Sequence, residues 1–156
     1  MGIVWYEDAA DRSREQRVAD TLQKAWGAVL TKLPSTYALD YLVQKDGQTL
    51  GFVEVKCRDM VWGKYPDIMV ALKKFIHAHG LEFSTTLPCL YVVEDNNHDI
   101  RTFPFIDMQP KWLRFGGRTV MKRPDAVDDV EPVYHIPTHL FTPLAPLPEN
   151  SRSLVG

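Results

Sequence analysis

Asp40, Glu54 and Lys56 are the residues whose types and spacing could do chemistry in this chain. Glu54 and Lys56 lie two apart in TLGFVEVKC, Thr49 to Cys57, an apolar run that reads as a strand. Side chains at i and i+2 of a strand share a face, roughly 6.5–7 Å apart, so the carboxylate and the ammonium are neighbours. Upstream, residues 37–43 read as a second strand, with Asp40 on the phase of Ala38 and Leu42. If the pairing of the two strands puts Asp40 on the face of Glu54, two carboxylates and a lysine converge among apolar side chains. An unpaired charge there would cost several kcal/mol, and such a cluster calls for a metal ion.

The elements that must position these groups follow from periodicity. Residues 7–26 carry Val18, Leu22 and Ala25 at helical spacing, with Val29 continuing the stripe, acidic residues in the first turns and Gly27 as a stop. Three residues before Val18 the stripe reaches Glu15, which places that carboxylate inward; the plainer reading is a surface glutamate paired with Arg12 or Arg14. A short strand over 28–33 follows, then the strand 37–43, a turn at Asp46-Gly47 and the strand 49–57. Pro66 to His79 is expected to be a helix, with Pro66 at its first position, a stripe of Ile68, Leu72, Phe75 and Ile76, and Gly80 as its end. Residues 87–94 form an apolar strand, so strand, helix and strand make a crossover that favours a parallel pair. After a turn at residues 95–98, Ile100 to Ile106 is expected to return antiparallel. Trp112, Leu113 and Phe115 suggest a short docked helix, and Val133 to Leu144 a short strand among prolines.

This order, with an Asp on the second strand and Glu-x-Lys on the third, resembles the PD-(D/E)XK nuclease superfamily, in particular its small phage-type or mobile-element-type members. The resemblance covers about residues 7–106 and implies an α/β, restriction-endonuclease-like αβββαβ core, a mixed sheet flanked by helices. An acidic-x-Lys triplet arises about once by chance in a chain of this composition, and Glu54-Val55-Lys56 is the only one here. Its place after a hairpin turn, downstream of Asp40 and Glu15, gives it weight. The residue before Asp40 is Leu39, where the family motif has proline, and Pro66-Asp67 opens a different element.

The resemblance implies Mg²⁺, with Mn²⁺ as a substitute, held by Asp40, Glu54 and the main-chain carbonyl of Val55. Hard divalent cations take oxygen ligands and retain several waters. Lys56 would orient or deprotonate the attacking water, and Glu15 would complete the catalytic set Asp40, Glu54, Lys56 and Glu15. Arg58, Tyr65, Lys73 and Arg118 are candidate substrate contacts. The implied function is Mg²⁺-dependent hydrolysis of phosphodiester bonds in DNA; the rival is a non-catalytic module of the same fold that binds nucleic acid or protein.

Composition bounds the rest. A chain of 156 residues suits one domain, expected over 1–142, with a Pro-rich, weakly ordered tail over 143–156. A formal charge of −2 supplies no general pull on nucleic acid, so contact would fall to local groups such as Lys111, Arg114, Arg118, Lys122 and Arg123 near Trp112 and Phe115. No run approaches the ~18 apolar residues of a membrane span, the N-terminus lacks a leader pattern, and Cys57 and Cys89 suit a reducing compartment. A cytoplasmic protein is expected, its oligomeric state open and a homodimer among the options. His135 and His139 are four apart, but Pro137 between them precludes a helical metal pair.

Overall fold

The computed structural model describes residues 9–117 and 130–155. Helix α1 (Ala9–Trp26) ends at Gly27 as expected and turns Val18, Ala19, Leu22 and Trp26 inward. Val29 does not continue that stripe: it opens strand β1 (Val29–Lys32) and is exposed. The strand expected over 37–43 is displaced. Ser35–Tyr37 form a 3₁₀ turn, Ala38 takes a left-handed φ of 61°, and strand β2 runs Tyr41–Lys45. Asp40 stands immediately before β2, its N–H already bonded to the Val53 carbonyl at 3.0 Å. The Asp46-Gly47 turn is as expected, and both residues have positive φ, 51° and 77°, the geometry that matches the twist of a two-residue hairpin.

Strand β3 (Gln48–Cys57) is the central element, buried continuously from Leu50 to Val55. It pairs antiparallel with β2 and parallel with β5 (Cys89–Glu94), and β6 (Ile100–Pro104) returns antiparallel to β5. Among the described residues the main sheet has the order β1-β2-β3-β5-β6-β9, with β9 being Thr142–Pro143. Period-2 alternation divides the core. Phe52, Tyr91 and Val93 face one hydrophobic cluster; Val53, Val55 and Val92 face the other, under α1.

The segment after β3 departs from expectation. Residues 67–71 form strand β4 (Asp67–Ala71), and helix α2 begins only at Leu72 and runs to Thr85. Ile68 and Val70 are buried while Met69 between them is exposed. This is the alternation of a strand, and β4 finds its partner far downstream in β8 (Val130–Pro137), beside β7 (Leu113–Gly117), in a second antiparallel sheet of order β4-β8-β7. Trp112 ends a 3₁₀ turn, not a helix of any length. Gly80 lies within α2 and does not end it. A methyl group there would meet no atom within 4 Å, so Gly80→Ala should raise stability by about 0.5–1 kcal/mol, the usual helical gain, as read from urea denaturation.

Gly51 is the opposite case. It sits where the β2–β3 register slips by one residue, at φ 151°. An added Cβ would overlap the Pro88 carbonyl oxygen and crowd Leu154 Cδ1 at 3.0 Å. Leu154 itself is buried and its N–H bonds the Leu50 carbonyl at 3.2 Å, so this part of the segment expected to be a loose tail is packed on the sheet. Gly51→Ala should cost about 1–3 kcal/mol in the same denaturation experiment, the range for overpacking.

Candidate active site

The bends on either side of β2 decide the chemistry. Because Asp40 precedes the strand, its side chain folds along the sheet: Oδ2 accepts the Val55 N–H at 2.7 Å, and Oδ1 accepts from Lys32 Nζ at 3.2 Å. Asp40 is thereby locked to β3 one residue beyond Glu54. Glu54, 5% exposed, points from β3 into the face shared with α2. Its Oε2 accepts from Lys74 Nζ at 2.9 Å. Its Oε1 is buried with no hydrogen-bond partner among the described residues, and the Asp40 carboxylate lies close enough to act on the Glu54 carboxyl. Burial first, then the negative charge of Asp40, pushes the Glu54 carboxyl well above its ordinary range, against the opposing pull of Lys74.

The expected helix acid is close by but differently engaged. Glu15 is inward on α1 and pairs with Lys32 of β1, which also holds Asp40. Burial disfavours the Lys32 ammonium, yet the Glu15 and Asp40 carboxylates outweigh it and hold its pKa above the usual lysine value. Tyr41 lies under the same group, with Lys32 Nζ 5.2 Å from its ring centre. Its hydroxyl is held neutral by burial and by contact with Glu15. Thus Glu15 and Asp40 share a lysine, while Asp40 and Glu54 face one another. Among the described residues no group of three His, Cys, Asp or Glu side chains assembles into a metal nest.

The remaining expected residues are scattered. Lys56 is exposed at the end of β3, and its ammonium makes no hydrogen bond or ion pair among the described residues. Arg58 is half-buried just beyond the end of β3. Its guanidinium bonds the Met69 carbonyl at 2.6 Å and the Tyr91 hydroxyl at 3.0 Å, tying the end of β3 to β4. Tyr65 is exposed, with Lys64 above its ring. Lys73 is exposed on the far side of α2, in a groove with Ile76 and Glu131. Arg118, with Lys122 and Arg123, lies outside the described residues. Trp112 packs edge-on against Phe103 and is partly buried against the core.

Sequence reasoning missed Lys74 and Lys32, the two lysines that touch the acids. Lys74 is four residues before the fully buried Ala78 and seven before Leu81. The expected stripe ran through Ile68, which lies in β4, and Ile76, which is exposed, and so was centred away from Lys74. It also missed the buried Glu94 at the end of β5, which pairs with Arg17 of α1. Beyond the carboxyl ends of the parallel strands β3 and β5, where ligands of open α/β sheets bind, lies a cleft of about 500 Å³. Arg14, Arg17, Arg58 and His98 line it together with the acids Asp59, Glu94 and Asp95.

Residues 4–144 match the family described as "Phage putative PDDEXK endonuclease", and the chain belongs to that nuclease family. The structure is similar to the Holliday junction resolvase Hjc of Archaeoglobus fulgidus, a hyperthermophilic archaeon, with a TM-score of 0.56 at 14% identity, over 85% of this chain and 88% of that one. The fold is thus the restriction-endonuclease-like α/β fold. No curated protein matches the sequence significantly. No helix among the described residues is long and apolar enough to cross a membrane.

Proposed function

We propose that the chain is a Mg²⁺-dependent nuclease that hydrolyses phosphodiester bonds in DNA, with Mn²⁺ able to replace Mg²⁺. The observation that carries this reading is the buried Glu54 carboxyl beside the Asp40 carboxylate, its Oε1 without a hydrogen-bond partner among the described residues. Two acceptor groups facing one another need either a proton or a cation between them. The donor set fits a hard cation: two carboxylates are what Mg²⁺ takes from a protein when it keeps most of its waters. A bound ion would supply charge neutralisation at the scissile phosphate and a more acidic water.

The chain's own residues do the rest. Asp40, held by the Val55 N–H, and Glu54 present the ligand oxygens, with the Val55 carbonyl as the main-chain contribution. Lys56, without a partner among the described residues and two residues beyond Glu54, orients or deprotonates the attacking water. Glu15 acts on the site through Lys32. The arginine-bearing cleft at the ends of β3 and β5 suits a backbone phosphate next to the scissile one. Arg58 contributes to its wall, while Tyr65, Lys73 and Arg118 remain outer candidates for contact with the strand. A non-catalytic binding module would have no use for a buried carboxylate pair that costs stability.

Plasmid, linear duplex and single-stranded DNA incubated with Mg²⁺, Mn²⁺ or EDTA test the reading. Cleavage of at least one substrate with metal and none with EDTA is expected. Equal trace cleavage by wild type and Lys56→Ala would reassign the protein to the binding class.

A further inference from the structure

We infer that Lys74 is the positioning residue of the metal site: it fixes Glu54 and the turn before Asp40 at once, so that the two ligand carboxylates face each other. The inference rests on the reading that Asp40 and Glu54 hold a divalent cation. Three observations carry it.

Lys74 Nζ donates to Glu54 Oε2 at 2.9 Å and to the main-chain carbonyl of Ala38. One ammonium on α2 therefore bridges β3 and the loop that enters β2. The bond to Oε2 also decides which oxygen of Glu54 is engaged, leaving Oε1 as the unpartnered atom.

Ala38 is strained. A non-glycine residue at φ 61° costs of order 1–3 kcal/mol and persists only where its surroundings impose it. That conformation reverses the chain after the Ser35–Tyr37 turn and delivers Asp40 two residues later. A lysine bonded to the carbonyl of the strained residue is well placed to impose it.

No other cation among the described residues reaches Glu54. Glu54 Oε2 has no other bond among the described residues, and Lys32 serves Asp40 and Glu15 from the opposite side without reaching Glu54. Lys73, its neighbour on α2, is exposed and contacts neither acid. Lys74 touches no substrate in this scheme. Its effect passes through the ligands, as with other groups that hold metal-binding side chains from behind, whose loss commonly weakens metal affinity 10–100-fold.

Mn²⁺ titrated calorimetrically into wild type, Lys74→Met and Lys73→Met tests the inference, with melting in EDTA confirming that each is folded. A Kd raised about 10–100-fold is expected for Lys74→Met, with Lys73→Met like wild type. Cleavage by Lys74→Met should also recover as Mn²⁺ is raised to saturation, with an unchanged KM for DNA. A merely structural role would produce neither. If too little Lys74→Met folds, Lys74→Gln, which keeps a neutral donor for one of the two oxygens, carries the same expectation of at least tenfold weakening. A Kd within about twofold of wild type, or a tighter one, overturns the inference. Wild type that takes up no Mn²⁺ overturns the metal reading beneath it.

Discussion

Glu54→Gln should lower metal-dependent cleavage by about a thousandfold or more, and should also leave the metal-free protein more stable than wild type at neutral pH. The first effect is the loss of a ligand, equivalent to about 4 kcal/mol of transition-state charge stabilisation. The second follows from Glu54's surroundings. Its carboxyl titrates above its ordinary value of 4.5 because it is buried and faces Asp40. The folded chain then keeps this proton after the unfolded chain has lost it. The stability this contributes is complete below pH 4.5 and drains away as pH rises through the raised value. Glutamine does not titrate and can donate its amide N–H to Asp40. The advantage of Glu54→Gln should therefore widen as pH climbs from 4.5, as read from urea denaturation in EDTA. Adding Mn²⁺ should reverse the order, stabilising wild type by binding and leaving the variant unmoved. A variant that is less stable than wild type at pH 7 and equally stabilised by Mn²⁺ would deny the carboxylate pair its role.

Lys56→Ala is expected to separate chemistry from structure. Lys56 is exposed and bonded to nothing among the described residues, so its removal should shift stability by no more than about 0.5 kcal/mol and leave the Kd for Mn²⁺ unchanged. Cleavage should nevertheless fall by about 10²–10⁴-fold, the range for a positioned proton-transfer group. Full activity in Lys56→Ala with activity lost in Lys74→Met would move the catalytic ammonium to α2.

The contrast between these lysines shows what was legible in the sequence. Local signals were reliable: the α1 stripe with Glu15 on its inward edge, the Asp46-Gly47 turn, the apolar run of β3 and the parallel crossover to β5. Each but the last depends on residues within a turn or two of one another, and the crossover follows from the order of the elements it joins. The failures depend on distant partners. Asp67–Ala71 could join a helix in isolation; it is a strand because β8, about 65 residues later, pairs with it, Asp67 standing opposite Pro137. With Ile68 in β4 and Ile76 exposed, the inward stripe of α2 runs instead through Lys74, Ala78 and Leu81, which selects Lys74 over Lys73. Asp40 was recognised by type and place, but its lock on the Val55 N–H depends on a strained Ala38 that no composition or period reveals. Arg58 was expected as a substrate contact; its bonds to the Met69 carbonyl and Tyr91 hydroxyl depend on partners 11 and 33 residues away.

The metal site is the centre of this account, and diffraction from crystals soaked in Mn²⁺ tests it most directly. An anomalous peak bound at about 2.1 Å by oxygens of both Asp40 and Glu54, with Lys74 still on Glu54 Oε2, is the predicted result. A peak elsewhere, or none at millimolar Mn²⁺, would contradict it.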